Sequence, residues 1–496
     1  MKINLNVDVH HLTRVEGHGN IKVRIQNGEV KEAKWDIVET PRFFEAMLKG
    51  KHYSSAGILT ARICGICSIG HCLASLRATE NAFGITIPET ARKLRWLAKH
   101  GETLQSHVLH LFFLAAPDFF NLPSAVNLLE KESQVYDLAR RLKGLAGNMV
   151  EGAVSKRMLA TTMSKTTHES MIRDEFESAL YDLVEKTAPA MVGLPTVKPF
   201  VRQKPEVVNI ARRLKGLANR ICDVAAGRTT HPVSLQVGGV AVAPDKKALV
   251  ALQEELKNTF DDITMTFELF KTFNIPDFVR ETEFVSLKGV NEYPFIGGDL
   301  VSTDGVIKPE SEYLAMTNEW VDANNTSKWC KVSRDSMAVG SLARFNNNHD
   351  LLHPEAKKVA EALGLKPVNH NPYMNNIAQL VEIVHVIYES IRYINELLDS
   401  DLTDIMSPVT PKAGQGVGAV EVPRGILYHD YEYDNAGRIV KANCIIPTTQ
   451  NNLNIHLDMK ELAKVFAKEG MTDAQLTLLC SMLVRAYDPC ISCSVH

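Results

Sequence analysis

Two short pieces at opposite ends of the chain constrain its fold more than any other feature. Residues 62–71 read RICGICSIGH, and the last nine residues read DPCISCSVH. Each holds a Cys-x-x-Cys, Cys64 with Cys67 and Cys490 with Cys493, and each is followed by a histidine, His71 or His496. A Cys-x-x-Cys brings two soft thiolates to one ion, and two such pairs complete a four-sulfur site. If the pairs act together, the fold must carry the C-terminus back to the N-terminal region. A structural zinc, a redox dithiol and a metal centre of another kind all remain open on spacing alone.

Four features weigh against the structural ion. The pairs lie more than four hundred residues apart, whereas zinc ribbons hold theirs within one small unit. A chain of 496 residues buries enough apolar surface to fold without a metal staple, so a site joining its ends is better explained as an active centre. Each pair also has its own histidine, a group for the shell around the ligands. Finally, Asp488-Pro489 stops the helix TDAQLTLLCSMLVRAY just before Cys490, because proline disfavours helix in the residue before it.

Bulk properties exclude several classes. A net charge of −3, with 23% charged and 45% hydrophobic residues, offers no basic field for nucleic acid and no acidic tail. Length predicts about three domains of roughly 150 residues. Nine cysteines cannot all pair, and MKINLNVDVH carries no signal-peptide pattern. A reducing, cytoplasmic compartment is expected, unless the chain is exported folded beside a partner that bears the signal. The longest apolar stretches, such as HVLHLFFLAAPDFF, are too short and interrupted to span a bilayer.

NIKVRIQNGEVKEAKWDIVE alternates Ile21, Val23 and Ile25, turns at Asn27-Gly28 and alternates again to Ile37, which predicts a β-hairpin. From Pro88 onward, apolar residues three and four apart predict helices, and similar patterns fill 125–150, 168–188, 205–226, 245–273 and 375–399. VGLPTVKPF, THPVSLQVGGV, GVNEYPFIGG and VTPKAGQGVGAVEVPRG read as turn-rich. ARRLKGLA occurs at 139–146 and 211–218 with unmatched flanks, which suggests two similar helix surfaces and not a repeat. The expected fold is mainly α with a smaller α+β part. An N-terminal β-rich segment (1–60) with an antiparallel sheet precedes a central bundle of long helices (61–400). C-terminal loops and a helix (401–496) close the site, and the whole is one compact catalytic unit.

RICGICSIGH with a terminal DPCISCSVH resembles the large, catalytic subunit of the nickel–iron hydrogenases, whose motifs are Arg-x-Cys-Gly-x-Cys-x-x-x-His and Asp-Pro-Cys-x-x-Cys-x-x-His. TRVEGHGNIKV, PRFFEAMLKG, QSHVLHLFFLAAPDF, EVPRG and NCIIPTTQN resemble further family segments, in family order from about residue 10 to the end. The resemblance implies the large-subunit fold and reversible heterolytic cleavage of dihydrogen. It assigns Cys64 and Cys490 as terminal nickel ligands, and Cys67 and Cys493 as bridges to an iron carrying one carbon monoxide and two cyanides. Pro423, Arg424 and Thr448 match the residues that surround those cyanides.

Splitting dihydrogen leaves a proton that needs a base, and the candidates are the Cys490 thiolate and Arg424. A guanidinium is a poor base, so the thiolate is preferred. Glu16 matches the carboxylate that relays the proton outward, a task suited to a group that both accepts and donates. Glu45, His496 and the carbonyl of Cys444 match a magnesium site. A histidine is an unusual ligand for so hard an ion, which leaves magnesium, iron and manganese open. The family's precursors carry an extension cut after this histidine by a maturation endopeptidase, once nickel-insertion factors have acted, and an end at His496 is expected for the mature form.

Ser106 stands where many members have an aspartate. Asp488 still supplies a carboxylate near Arg424, and Asp118 is not expected to take the missing role. His71, His107, His110 and His231 are candidates for tuning the site or facing a partner. Cys72, Cys222, Cys330, Cys444 and Cys480 are scattered, with no iron–sulfur ligand run and no dinucleotide fingerprint. An iron–sulfur small subunit is therefore expected to take the electrons. Further subunits would bind flavin, NAD(P) or ferredoxin, as in the cytoplasmic, cofactor-coupled branch that the chain most resembles. The alternatives are a hydrogen-sensing subunit with the same centre, a zinc-bound scaffold, and the related quinone-site subunit of complex I, which lacks the four cysteines.

Overall fold

Alternation of apolar and charged residues makes one face of residues 19–26 hydrophobic, and that face is buried in the structure. Strands β1 (Leu5–Val9), β2 (Gly19–Gln26) and β3 (Glu29–Ile37) form an antiparallel sheet in that order. Asn27 and Gly28 make the turn with φ of 55° and 82°, values those two residues tolerate best. Trp35 packs against Gly19, where a Cβ would come within 2.2 Å of the ring.

The computed structural model describes residues 3–120, 205–323 and 325–496. The helical patterns at 125–150 and 168–188, VGLPTVKPF and the first ARRLKGLA lie outside them. Met1–Phe119 and Glu206–His496 pack into one compact unit. Among the described residues no helix is long and apolar enough to cross a membrane.

Pro88 precedes a helix over Glu89–Leu109, which runs on through a π turn at His110–Ala115 into Ala116–Phe119. This helix packs antiparallel to Asn375–Leu398: Lys93 meets Glu396 at 3.1 Å, His100 meets Ser390 at 3.2 Å and His107 meets Glu382 at 2.7 Å. The second ARRLKGLA lies in the Pro205–Ala226 helix and buries Ala211, Leu214, Leu217 and Ala218. The periodic stretch 245–273 is two helices, Lys246–Lys257 and Phe260–Lys271. Asn258 and Thr259 separate them, and the Thr259 hydroxyl donates back to the carbonyl of Leu256.

Short strands β4 (Leu235–Gln236) and β5 (Gly239–Val240) pair within THPVSLQVGGV. β6 (Glu283–Leu287), β7 (Leu300–Ser302), β8 (Ile307–Lys308) and β9 (Met337–Ala338) form a four-stranded sheet in the order β8-β7-β6-β9.

The C-terminal quarter differs from the loops expected there. β10 (Gly414–Val422), β11 (Gly425–Tyr433) and β12 (Ile439–Ile445) form a second antiparallel sheet. The glycines that signalled turns instead let the strand touch a helix backbone. A Cβ on Gly416 or Gly418 would lie 2.2 Å from the carbonyl of Ala78 or Ala74 in the Ser68–Phe83 helix. Close approach of two backbones is an alternative use of strand glycine, and it seats the sheet directly on the cysteine-bearing helix.

Candidate metal centre

The first cysteine pair sits where a helix begins. Cys67 caps Ser68–Phe83, and the N–H groups of Ile66 and Cys67 point at Cys64 Sγ from 3.3 and 3.4 Å. The second pair follows the Asp473–Ala486 helix, which opens on a capping box between Thr472 and Gln475. The helix stops before Pro489, but Asp488 takes a left-handed φ of 49° and not the extended conformation usual before proline. Aspartate tolerates this region, and the turn swings Cys490 inward. Glu16 pairs as a parallel bridge with Cys490, and its carbonyl accepts from the N–H of Ile491 at 3.0 Å. The N-terminal region thus clasps the C-terminus.

The result is a buried cluster in which the sulfurs of Cys64, Cys67, Cys490 and Cys493 all lie within 4.8 Å of one another. Cys64 and Cys490 are 3.6 Å apart. Cys490 and Cys493 are in sulfur–sulfur contact as a disulfide, with Cα atoms 5.4 Å apart. A four-thiolate reading of the cluster therefore applies to the reduced pair, since a disulfide offers no thiolate. The Cys67 thiol donates to Cys64 and, aided by Arg424, holds the Cys64 pKa down against burial. Cys67 is pushed well above its ordinary value by that same contact and by burial. One negative charge is easier to hold here than two.

Arg424 occupies the tip of the β10–β11 hairpin, where Val422 pairs with Gly425 and leaves Pro423 and Arg424 as the turn. Its guanidinium donates to Asp488 at 2.8 Å and to the Ser106 hydroxyl at 3.3 Å, while its buried Nε has no partner. Burial works to lower the Arg424 pKa, but Asp488 and the neighbouring cysteines outweigh it and leave it raised. Ser106 thus keeps a hydrogen bond to Arg424 without adding a charge. Asp118 serves elsewhere, bound to Arg14 and Arg485. The Thr448 hydroxyl accepts from the N–H of Cys490 at 2.9 Å, so its own hydrogen remains to donate. The Glu16 carboxylate accepts from the N–H of Ser492 at 3.1 Å and from its hydroxyl.

A second set of donors converges nearby. His496 Nε2 lies 2.6 Å from the Cys444 carbonyl and 3.6 Å from Glu45, whose carboxylate also accepts from the Cys444 N–H. Burial alone would raise the Glu45 pKa, and its hydrogen bonds with His496 and Cys444 reverse the shift. Glu319, tied to Lys328 at 3.0 Å, keeps its other oxygen buried without a partner. The Glu45 carboxylate, the Cys444 carbonyl and the His496 imidazole form a donor set of the kind a small hard cation takes.

A model of the family described as nickel-dependent hydrogenase matches residues 42–303 and 298–496, and a second, described as HoxL-like, matches residues 6–40. The chain belongs to the nickel-dependent hydrogenases. It is 29% identical over 491 residues to the alpha subunit of sulfhydrogenase 2 from Pyrococcus furiosus, covering 99% of this chain and 98% of that one. It is 30% identical to a vhu F420-non-reducing hydrogenase subunit of Methanocaldococcus jannaschii, covering 93% and 99%. The fold is similar to that of a solved NAD+-reducing [NiFe]-hydrogenase, with TM-score 0.76 and 24% identity over the full length of both chains. As a member of this family, the protein is an oxidoreductase acting on dihydrogen.

In this hydrogenase His71, His107 and His110 are buried within the chain. His231 is partly exposed, held by Ser68 at 2.9 Å and the Ala61 carbonyl at 3.0 Å beside the first cysteine turn. Sequence reasoning missed His429, which meets His71 at 3.2 Å and Tyr431 at 2.5 Å. His429 lies in LYHDYEY, a strand buried on both faces, which only the folded structure shows. Sequence reasoning also missed Ser492, the partner of Glu16, and Glu319, the partner of Lys328. Neither has a local signal, because each acquires its role from a residue far away in sequence.

Proposed function

We propose that this chain is the catalytic subunit of a [NiFe] hydrogenase that cleaves dihydrogen reversibly and heterolytically. The observation that carries this reading is the convergence of four buried cysteines from the two ends of the chain. Soft thiolates suit nickel and iron, and the unpartnered Nε of Arg424 and the free Thr448 hydrogen suit cyanide nitrogens in a dry pocket. When bound, the centre supplies Lewis-acid activation of dihydrogen and a store for its electrons.

The chain's own residues handle the proton. Cys490 Sγ takes it first, because Arg424 is already committed as a cation to Asp488. Arg424 instead keeps a fixed positive charge beside the sulfurs. Glu16, bridged to the backbone of Cys490 and bound to Ser492, then receives the proton and passes it outward. Glu45, His496 and the Cys444 carbonyl would hold a magnesium or similar ion that secures the C-terminal turn.

Electrons need a carrier of a different kind. Among the described residues the four-cysteine cluster is the one group of its type, and the other free cysteines are buried apart from it. An iron–sulfur small subunit, with further subunits that reduce NAD(P) or ferredoxin in the cytoplasm, completes the reading. Both relatives are themselves named as subunits of larger enzymes, which supports it.

An infrared spectrum of the purified complex, in the window where carbon monoxide and cyanide stretch, tests the centre. One carbon monoxide band and two cyanide bands, with nickel and iron found by elemental analysis, are expected. An empty window with zinc as the sole metal would overturn the reading.

A further inference from the structure

Arg344 is fully buried, and every nitrogen of its guanidinium has a partner. Nε and Nη2 grip Glu382 at 2.6 and 2.7 Å, in the two-pronged geometry that fixes both groups. Nη1 reaches Glu421 at 2.9 Å, and Nη2 reaches the Ser341 hydroxyl at 3.0 Å. The remaining hydrogen bonds go to two backbone carbonyls, those of Val422 at 3.0 Å and Pro423 at 3.1 Å. These are the two residues immediately before Arg424, at the tip of the β10–β11 hairpin.

Glu382 extends the hold to the other side of Arg424. It accepts from His107 at 2.7 Å, from Ser341 at 2.7 Å and from the Tyr293 hydroxyl at 2.8 Å. His107 directly follows Ser106, whose hydroxyl accepts from Arg424. Gln379, one turn earlier on the Asn375–Leu398 helix, donates to Asp488 at 3.3 Å, the carboxylate that pairs with Arg424. The hairpin turn, Ser106 and Asp488 are therefore referenced to one rigid helix through Glu382 and Gln379.

We propose that Arg344 and Glu382 are positioning residues that set the place of the Arg424 guanidinium over the four-cysteine cluster. Neither touches the cysteines in any hydrogen bond, and both act through Arg424. The inference rests on the nickel–iron reading, in which Arg424 donates to a cyanide. A displaced donor changes the cyanide stretch more than the carbon monoxide stretch. A sub-ångström misplacement of a group that organises the reacting site also slows turnover, by ~10–100-fold.

The test compares infrared spectra of the whole purified complex, with metal content measured in parallel, for wild type, Arg344→Lys, Glu382→Gln and Ser341→Ala. Ser341→Ala removes one hydroxyl from the network and keeps the ion pair, so it covers the case in which the charge variants do not fold. Arg95→Lys is the control: Arg95 is buried and doubly bonded to Glu80, in a network with no link to Arg424. The expected result is a shift of the cyanide bands in the Arg344, Glu382 and Ser341 variants at full metal loading, largest in the first two, with none in Arg95→Lys. Turnover should fall with the KM for dihydrogen unchanged. Unmoved bands in metal-loaded variants, or equal shifts in the control, would overturn the inference alone. A wild-type spectrum without bands would overturn the parent reading and this one with it.

Discussion

Single residues in this molecule divide into those that handle a proton and those kept neutral by burial. The proposed relay places Glu16 in the first kind, and Glu16→Gln keeps its hydrogen-bond geometry while removing the exchangeable charge. Nickel, iron and the infrared bands are expected to remain, while hydrogen–deuterium exchange activity falls by ~10²–10⁴-fold. Loss of metal together with activity would instead mark Glu16 as structural. Buried histidines belong to the second kind. Desolvation brings His385 and His429 down to about 3 and holds His71 and His100 well below their ordinary value. Each is neutral in the fold but protonated in the unfolded chain below pH ~6.5, so stability is lost on acidification, at up to ~1.4 kcal/mol per pH unit per histidine. Glu421 opposes this, because burial raises it to about 7 and its folded form gains from acid. Asp36, Glu319 and Asp458 are raised too, but the depressed histidines outnumber the raised carboxyls, and the thermal midpoint should fall between pH 7 and 5. His385→Gln should flatten that slope, and an unchanged slope would show that His385 does not titrate on unfolding.

At the scale of elements, the contact that matters most is backbone against backbone. β10 lies so close to the Ser68–Phe83 helix that Gly416 and Gly418 have no room for a methyl group. Gly416→Ala and Gly418→Ala are each expected to cost ~1–3 kcal/mol or more, since the obstructing atoms are backbone carbonyls that cannot rotate away. Both should also lower metal content, because the helix starts at Cys67 and the strand ends at the Arg424 turn. Gly216→Ala is the opposite case. It lies inside a helix with only ordinary contacts around its Cβ position, so it should stabilise by ~0.5–1 kcal/mol. Thermal midpoints and elemental analysis of the three variants separate these outcomes. The same glycines explain why this strand was misread as a loop. In a sequence, glycine marks a turn or a close approach equally well, and only the neighbouring helix distinguishes them. The Asn27-Gly28 hairpin was legible because its cause is local, in two residues that accept positive φ.

For the whole molecule, the cysteine cluster joins the N-terminal region to the C-terminus. A metal bound only in the fold stabilises it by mass action, and in the proposed centre it would also tie the two ends of one compact unit together. Protein prepared without nickel should therefore melt several degrees below the loaded protein. Cys64→Ser should abolish that difference by removing one of the four sulfurs, and a persistent difference would place the metal elsewhere.

The identity of the four cysteines, the Glu16 and Arg424 segments, the long helices around 89 and 375, and the family they belong to were determined by the sequence alone. These are local patterns: spacing, periodicity and contiguous motifs survive in one dimension. Tertiary structure alone decided that Cys64 meets Cys490 at 3.6 Å, that Ser492 serves Glu16, and that the glycine-rich stretch before Arg424 is a strand. It alone brought Arg344, Glu382 and His107 together behind Arg424. The physical reason is that burying a charge or a backbone is favourable only when a partner arrives at the right distance. That partner comes from packing between segments far apart in the chain, which no local pattern records.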